Sequence, residues 1–329
     1  MTRISIKNVV LAGLSGLMLT ASFAPIDLHW IAWISLFPLL MSLEGKSPVG
    51  AFKSGLFAGL LHYLTLIYWI VVVLSRYGNL TFMVSLTALF LLSSYCAIFM
   101  ALFALIVVSL KKHRLSSFWG ASIWVALEYT RAHIMTGFPW CLLGYSQYSR
   151  LPLIQISDIA GVYSMSFIIV LVNIVLYNLV FILNSKKKKP IVVEAALASF
   201  LIGFILFYGY HSLKGKAEDN PKGKGLRAVI VQGNIDQSVK WSPNFQEKTV
   251  AIYKKLSEKS TDFKPHIIIW PETALPFFFQ DSSYLSKEVF ETAKTVNSKI
   301  LFGSPAYVKN KDTILYYNRA YIISGNGVL

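Results

Sequence analysis

Residues His266 to Pro276 read H-I-I-I-W-P-E-T-A-L-P, and they decide how the C-terminal third of the chain folds. Ile267, Ile268 and Ile269 form an unbroken β-branched run, as expected of a strand covered on both faces. Pro271 lacks an N–H and ends the ladder just beyond it. Glu272 is thereby placed at the carboxyl end of a buried strand, where open α/β sheets gather their chemistry. The same residue types also suit a solvated loop acid or a carboxylate at the start of a following helix, and spacing alone does not separate these readings.

Outward from this stretch, helix and strand patterns alternate. Leu226 to Val231 reads as a strand. Gln246 to Ser260 reads as a helix with Thr249, Ile252, Tyr253 and Leu256 on one face. After the strand Ile267 to Trp270, a second helix is expected over Leu285 to Asn297, then strands over Ile300 to Phe302 and Ile314 to Ile323. Ser324-Gly325-Asn326-Gly327 is a hairpin signal that Val328 and Leu329 would follow as a returning strand. Such alternation argues for an α/β sheet over residues 226–329. The stretch Lys214 to Gly225, K-G-K-A-E-D-N-P-K-G-K-G, marks a polar linker, taken as 211–225.

Residues 1–210 differ in kind. The whole chain has 329 residues, 55% of them hydrophobic, and its mean hydropathy of +0.55 is too high for an ordinary soluble protein. Seven apolar segments approach or reach the length needed to cross a bilayer: about 9–24, 28–43, 55–75, 80–110, 117–136, 159–183 and 191–210. Arg3, Lys7, Lys46, Lys53, Lys111, Lys112, Arg114 and Lys186 to Lys189 fall on one set of connections, whereas only Arg76, Arg131 and Arg150 fall on the other. The positive-inside rule then puts the N-terminus in the cytoplasm and the part after about residue 211 outside it. The net charge of +15 follows this topology and lines no single face, so a nucleic-acid partner is not indicated. Ser22 and Ala24 also suit a leader-peptide end, although a multi-spanning chain favours an uncleaved first helix. The two cysteines, Cys96 and Cys141, suggest neither a disulfide framework nor a metal site.

Three ordered motifs carry a resemblance. Gly137 to Gln147 reads G-F-P-W-C-L-L-G-Y-S-Q, Val231 to Trp241 reads V-Q-G-N-I-D-Q-S-V-K-W, and Ile269 to Pro276 reads I-W-P-E-T-A-L-P. With the apolar segments, they resemble the apolipoprotein N-acyltransferase family, whose extracytoplasmic domain belongs to the carbon–nitrogen hydrolase (nitrilase) superfamily. The resemblance implies a polytopic helical membrane domain of about seven transmembrane helices in a bacterial inner membrane, followed by a periplasmic α-β-β-α sandwich. It implies a Glu-Lys-Cys triad that moves an acyl chain from a phosphatidylethanolamine-like phospholipid, through a cysteine thioester, to the amine of a diacylated apolipoprotein. No cofactor or metal is implied, and Glu272 matches the general base.

The resemblance has a gap. In the family the triad lysine and cysteine follow the hairpin that begins near Gly325, and neither segment occurs in residues 1–329. Lys309 and Lys311 precede the hairpin, and neither Cys96 nor Cys141 follows the hydrolase motif. The reading is therefore an N-terminal portion of the enzyme, with an incomplete sandwich over 226–329 that is marginally stable and inactive alone. The alternative is a non-catalytic lipid-binding or scaffold remnant. A transporter is disfavoured, because Glu128 and Arg131 are nearly the only charges inside the apolar segments.

Further residues stand out. By resemblance, Trp241 lies on a loop near the substrate, and a packed or interfacial tryptophan is the other reading. Tyr145 and Gln147 are headgroup-binding candidates on the outer loop. Phe277 to Phe279 could meet lipid or dip into the membrane surface, or lie in an apolar loop buried by the C-terminal part of the family's domain that residues 1–329 lack. Glu128 and Arg131, three apart, suggest an ion pair on one helix face. His62 reads as a helix-packing residue, and Gly55 with Gly59 as a close helix contact.

Overall fold

The computed structural model describes residues 6–110, 116–182, 189–218, 225–311 and 313–328. Of the basic residues used for topology, Arg3, Lys111, Lys112, Arg114 and Lys186 to Lys188 lie outside them. The chain divides into two compact units, 1–219 and 220–329.

In the first unit α1 (Ile6–Ala21) leads through a 3-10 turn (His29–Trp33) to α2 (Phe37–Ser42), followed by α3 (Pro48–Leu66), α4 (Trp69–Arg76), α5 (Phe82–Leu110), α6 (Ser116–His133), α7 (Leu151–Ile154), α8 (Ser157–Ile182) and α9 (Lys189–Glu218). Among the described residues three helices, α5, α8 and α9, are long and apolar enough to cross a membrane. The apolar stretch 55–75 is not one straight helix. It breaks between α3 and α4 with a 50° bend, and counts as a fourth span if the pair is one crossing. Helix α9 also runs on to Glu218, into the stretch whose composition reads as linker.

Small residues set the helix packing. A Cβ on Gly55 would stand 2.7 Å from both the Ala104 Cβ and the Met100 carbonyl oxygen, and one on Gly59 would stand 2.9 Å from the Ala97 Cα. The G-x-x-x-G is thus the seam along which α3 and α5 meet, as its spacing suggests. His62 is buried on α3 with Nδ1 3.0 Å from the Thr20 hydroxyl of α1, a helix-packing role. The break between the 3-10 turn and α2 leaves backbone groups that an apolar surrounding cannot solvate. Asn173 of α8 bridges the break: its Nδ2 donates to the Ala32 carbonyl at 2.9 Å, beside the Ser35 hydroxyl at 3.0 Å, and its Oδ1 accepts from the Leu36 N–H at 2.8 Å.

The second unit contains β1 (Ala228–Ile230), α10 (Gln237–Lys240), α11 (Pro243–Glu258), β2 (Ile267–Ile269), α12 (Tyr284–Thr295), β3 (Lys299–Lys309), β4 (Ile314–Ser324) and β5 (Gly327–Val328). The strands form one mixed sheet in the order β1-β2-β3-β4-β5. The first three are parallel and joined by helical crossovers; β4 and β5 are antiparallel. Ile268, Ile300, Phe302, Tyr321 and Ile323 share a core with Val250 and Tyr253 of α11 and Val289 and Ala293 of α12. The other sheet face carries Ile267, Ile269 and Leu301, half-buried, and Ile230, which is 81% exposed. Among the described residues there is a single sheet, so the second sheet of an α-β-β-α sandwich is not part of what is observed.

Strand β3 runs well past the expected Ile300 to Phe302. Its far half pairs with β4 alone, in a register from Ile300↔Ile323 to Lys309↔Ile314. Backbone bonds on the opposite side, at Leu301 and Gly303, go to residues 270–275. Pro305 lies in phase with them, so its missing N–H takes nothing from the β4 ladder, and the proline does not end the strand.

Candidate functional site

Glu272 follows the carboxyl end of β2, the middle strand of the parallel part of the sheet. The segment around it is fastened to β3 on both sides. The Trp270 N–H donates to the Leu301 carbonyl at 2.8 Å, the Gly303 N–H to the Pro271 carbonyl at 3.3 Å, and the Leu275 N–H to the Gly303 carbonyl at 3.2 Å. Gly303 is required by this closeness: a Cβ there would stand 2.4 Å from the Thr273 nitrogen and 3.1 Å from the Glu272 Cα. Thr273 completes the turn with a φ of +47°, a conformation few side chains adopt.

The carboxylate is exposed and held from one side. Asn318 of β4 donates through Nδ2 to Oε1, and its own Oδ1 lies 3.5 Å from the Thr273 hydroxyl. Oε2 receives no hydrogen bond from the described residues, which leaves it open to take a proton. The reading of Glu272 as a carboxylate at a helix start is set aside, because the next long helix, α12, is capped by Ser283, whose side chain accepts from the Ser286 N–H.

A second charge lies in the same unit. Asp236 caps α10 by accepting from the Ser238 N–H at 2.9 Å, and α10 ends on Lys240, only 8% exposed. Burial lowers the Lys240 pKa, and attraction to the Glu272 carboxylate opposes that shift. Trp241, the next residue, is 55% exposed. Gln246 of α11 donates to the Pro276 carbonyl at 3.1 Å, tying the first turns of α11 to the segment that follows Glu272. Of the three phenylalanines, Phe279 is core, against Phe302 and Tyr321; Phe278 packs on Tyr307 and Tyr316, and Phe277 against the core edge. Neither Asn318 nor Lys240 was singled out by sequence. The signal for Asn318 is a lone amide inside the apolar run of β4; Lys240 lies within the quoted V-K-W.

In the helical unit, the loop 137–147 is built on buried polar side chains. The Leu143 N–H donates to Glu128 Oε1 at 2.8 Å and the Gly144 N–H to the Ser166 hydroxyl at 2.9 Å. Arg131 Nη2 lies 3.5 Å from the Cys141 carbonyl. The expected Glu128–Arg131 ion pair is replaced by these separate contacts: each side chain reaches the loop by itself. Gln147 also differs from its expected role. It is fully buried, its Nε2 donates to the His29 carbonyl at 2.9 Å and its Oε1 accepts from the Trp33 indole at 3.2 Å, so its amide is not available to a headgroup. Tyr145 is half-exposed on the same loop, and Trp140 stacks near Trp69 with ring centroids 5.2 Å apart.

Both cysteines belong to this helical unit. Cys96 is buried in α5, and burial pushes the Cys141 thiol up to about 11, away from the thiolate that a nucleophile needs at neutral pH.

These observations define a class: an apolar helical protein of membrane type carrying an α/β unit with a fixed, exposed carboxylate at the end of a parallel strand. Residues 15–175 match the apolipoprotein N-acyltransferase N-terminal domain. The chain is 37% identical over 321 residues to an apolipoprotein N-acyltransferase of Geobacter metallireducens, covering 97% of this chain and 61% of that protein. It is 30% identical to the proteins of that name from Haemophilus influenzae (95% of this chain, 62% of the relative) and Coxiella burnetii (91% and 60%). Nearly the whole chain is thus similar to proteins named apolipoprotein N-acyltransferase. It spans about three fifths of the length of these curated relatives.

Proposed function

We propose that the chain contributes the membrane domain and the general base of an N-acyltransferase that modifies lipoproteins at the outer face of a bacterial inner membrane. The observation that carries this reading is Glu272, exposed at the carboxyl end of β2 and oriented by Asn318. In the reaction, Glu272 takes the proton of a cysteine thiol. The thiolate attacks the ester carbonyl of a phosphatidylethanolamine-like lipid; a C–S bond forms, the C–O bond breaks, and the lysophospholipid alkoxide leaves with that proton. The α-amine of a diacylated apolipoprotein then attacks the thioester, forming C–N and breaking C–S, and its proton passes through Glu272 to the thiolate.

The thiol in this scheme is neither Cys96 nor Cys141. The helical unit crosses the membrane seven times from a cytoplasmic N-terminus, so that the α/β unit is periplasmic. Tyr145 and Trp241, both exposed aromatics, contact the lipid substrates.

The test is a reconstitution in phosphatidylethanolamine vesicles with a diacylated lipopeptide, the product being followed by mass spectrometry. The 329-residue chain alone yields no N-acyl product. Co-expressed with the remaining two fifths of the Geobacter metallireducens relative it does, and Glu272→Gln lowers that rate by about 100-fold or more. Turnover by the chain alone, or full activity of the Gln variant in the pair, overturns the reading. Silence of a correctly assembled pair would favour a non-catalytic lipid-binding protein instead.

A further inference from the structure

The C-terminal half of helix α6 turns three polar side chains into the apolar interior of the helical unit. Trp124, Glu128 and Arg131 are 9%, 5% and 1% exposed, and their spacing of four and three residues puts them on one face. Each charged member spends part of its bonding capacity on the loop 137–147: Glu128 Oε1 on the Leu143 N–H, and Arg131 Nη2 toward the Cys141 carbonyl. The Arg131 backbone carbonyl accepts from the Phe138 N–H at 3.0 Å and from the Tyr95 hydroxyl at 3.2 Å.

Ser166 and Trp124 also stand near the Glu128 carboxylate and Cys96 near the Arg131 guanidinium, yet one polar atom of each of the three side chains closes no hydrogen bond with protein. Trp124 Nε1, Glu128 Oε2 and Arg131 Nη1 are buried without a hydrogen-bond partner. The same three side chains line one cavity of about 20 Å³, bounded also by Tyr63, Phe99 and Phe103. A buried water needs at least about 10–15 Å³ and two to four polar partners. Two donors and one acceptor around this space match one water molecule, which accepts from the indole and the guanidinium and donates to the carboxylate. Without it, three polar atoms would be stranded in an apolar interior, a cost that native proteins avoid.

We propose that this cavity is the seat of one structural water, and that the water-bridged trio of Trp124, Glu128 and Arg131 fastens the loop 137–147 to α6. The inference stands independently of the acyl-transfer reading. It explains why an acid and a base three residues apart share a helix face without pairing directly. The water joins them, which leaves Glu128 Oε1 and Arg131 Nη2 for the loop.

Cys141 supplies the readout, because it lies in the loop, half-buried, while Cys96 is fully buried. Maleimide labelling of the full chain in lipid nanodiscs, read by mass spectrometry, measures how often the loop opens. Glu128→Gln raises the Cys141 labelling rate by more than about tenfold, and Trp124→Phe, which removes only the water's indole donor, raises it about threefold. Should Glu128→Gln fail to fold, the Trp124→Phe chain decides the test. Equal rates in Trp124→Phe and unsubstituted chains with coincident thermal melts overturn the fastening role. An experimental map at water-resolving resolution should show a single peak within hydrogen-bond distance of all three atoms; three side chains closed directly on one another, or a cavity without density, overturn the water.

Discussion

Two glutamates divide the molecule between them. Glu128 is buried on a helix, accepts a hydrogen bond from the Leu143 N–H and lines a small cavity beside Arg131. Glu272 is exposed at the end of a strand, held by one amide donor, with its second oxygen open. The first is costly to desolvate and is retained where it fixes a loop. The second costs little to keep charged and stands on a rigid edge, where a proton acceptor is useful. The same residue type is buried against a loop in one unit and open to solvent at a strand end in the other, and the proposed roles follow from that difference.

The comparison breaks most sharply at the buried member. Glu128→Ala strands Arg131 and frees the Leu143 N–H, and should cost about 3–5 kcal/mol, whereas Glu272→Ala should change stability by less than about 0.5 kcal/mol. Thermal melts of the two variants in the same detergent measure both; similar losses would erase the distinction. Next is Gly303→Val, in which the new Cβ meets the Thr273 nitrogen. It should destabilise the α/β unit by about 2–3 kcal/mol and abolish any transfer that depends on Glu272, read by melts and by the reconstituted assay.

Gln147→Ala sharpens the contrast between loop architecture and substrate contact. Losing its three hydrogen bonds, to Trp33, His29 and Ser146, should cost about 1–3 kcal/mol and shift the melt, while Tyr145→Ala leaves the melt in place and raises the KM for phospholipid. The smallest stability effect belongs to Asn318→Ala, under about 0.5 kcal/mol, with activity in the reconstituted pair falling about tenfold as the carboxylate loses its orientation. A lowered KM with unchanged kcat would argue against that orienting role.

How much was legible follows from the range of the interactions. The β-branched run at Ile267 to Ile269, the hairpin at Gly325-Asn326 and the G-x-x-x-G at Gly55 and Gly59 are local patterns, and each names its own structure. The position of Glu272 at a strand end was equally local. The length of β3 was not, because it depends on pairing with β4 across a turn and on Pro305 facing away from that ladder. Asn318 stands 46 residues from the glutamate it holds; a lone amide in a strand marks the residue but not its partner. The break between α3 and α4 lies inside a continuous apolar run, where composition carries no mark of a bend. Gln147 shows the same effect: a polar residue on an outer loop looks available until its partners, at His29 and Trp33, are known.

The partners of the early 3-10 turn also set an order of events during synthesis. The side-chain partner of the His29 carbonyl, Gln147, comes 118 residues later, and that of the Leu36 N–H, Asn173, comes 137 residues later. At elongation rates of about 5–20 residues per second, the delay is roughly 6–30 s. Through that interval other partners must serve these groups, so the turn between α1 and α2 gains its side-chain contacts only after α8 has been made.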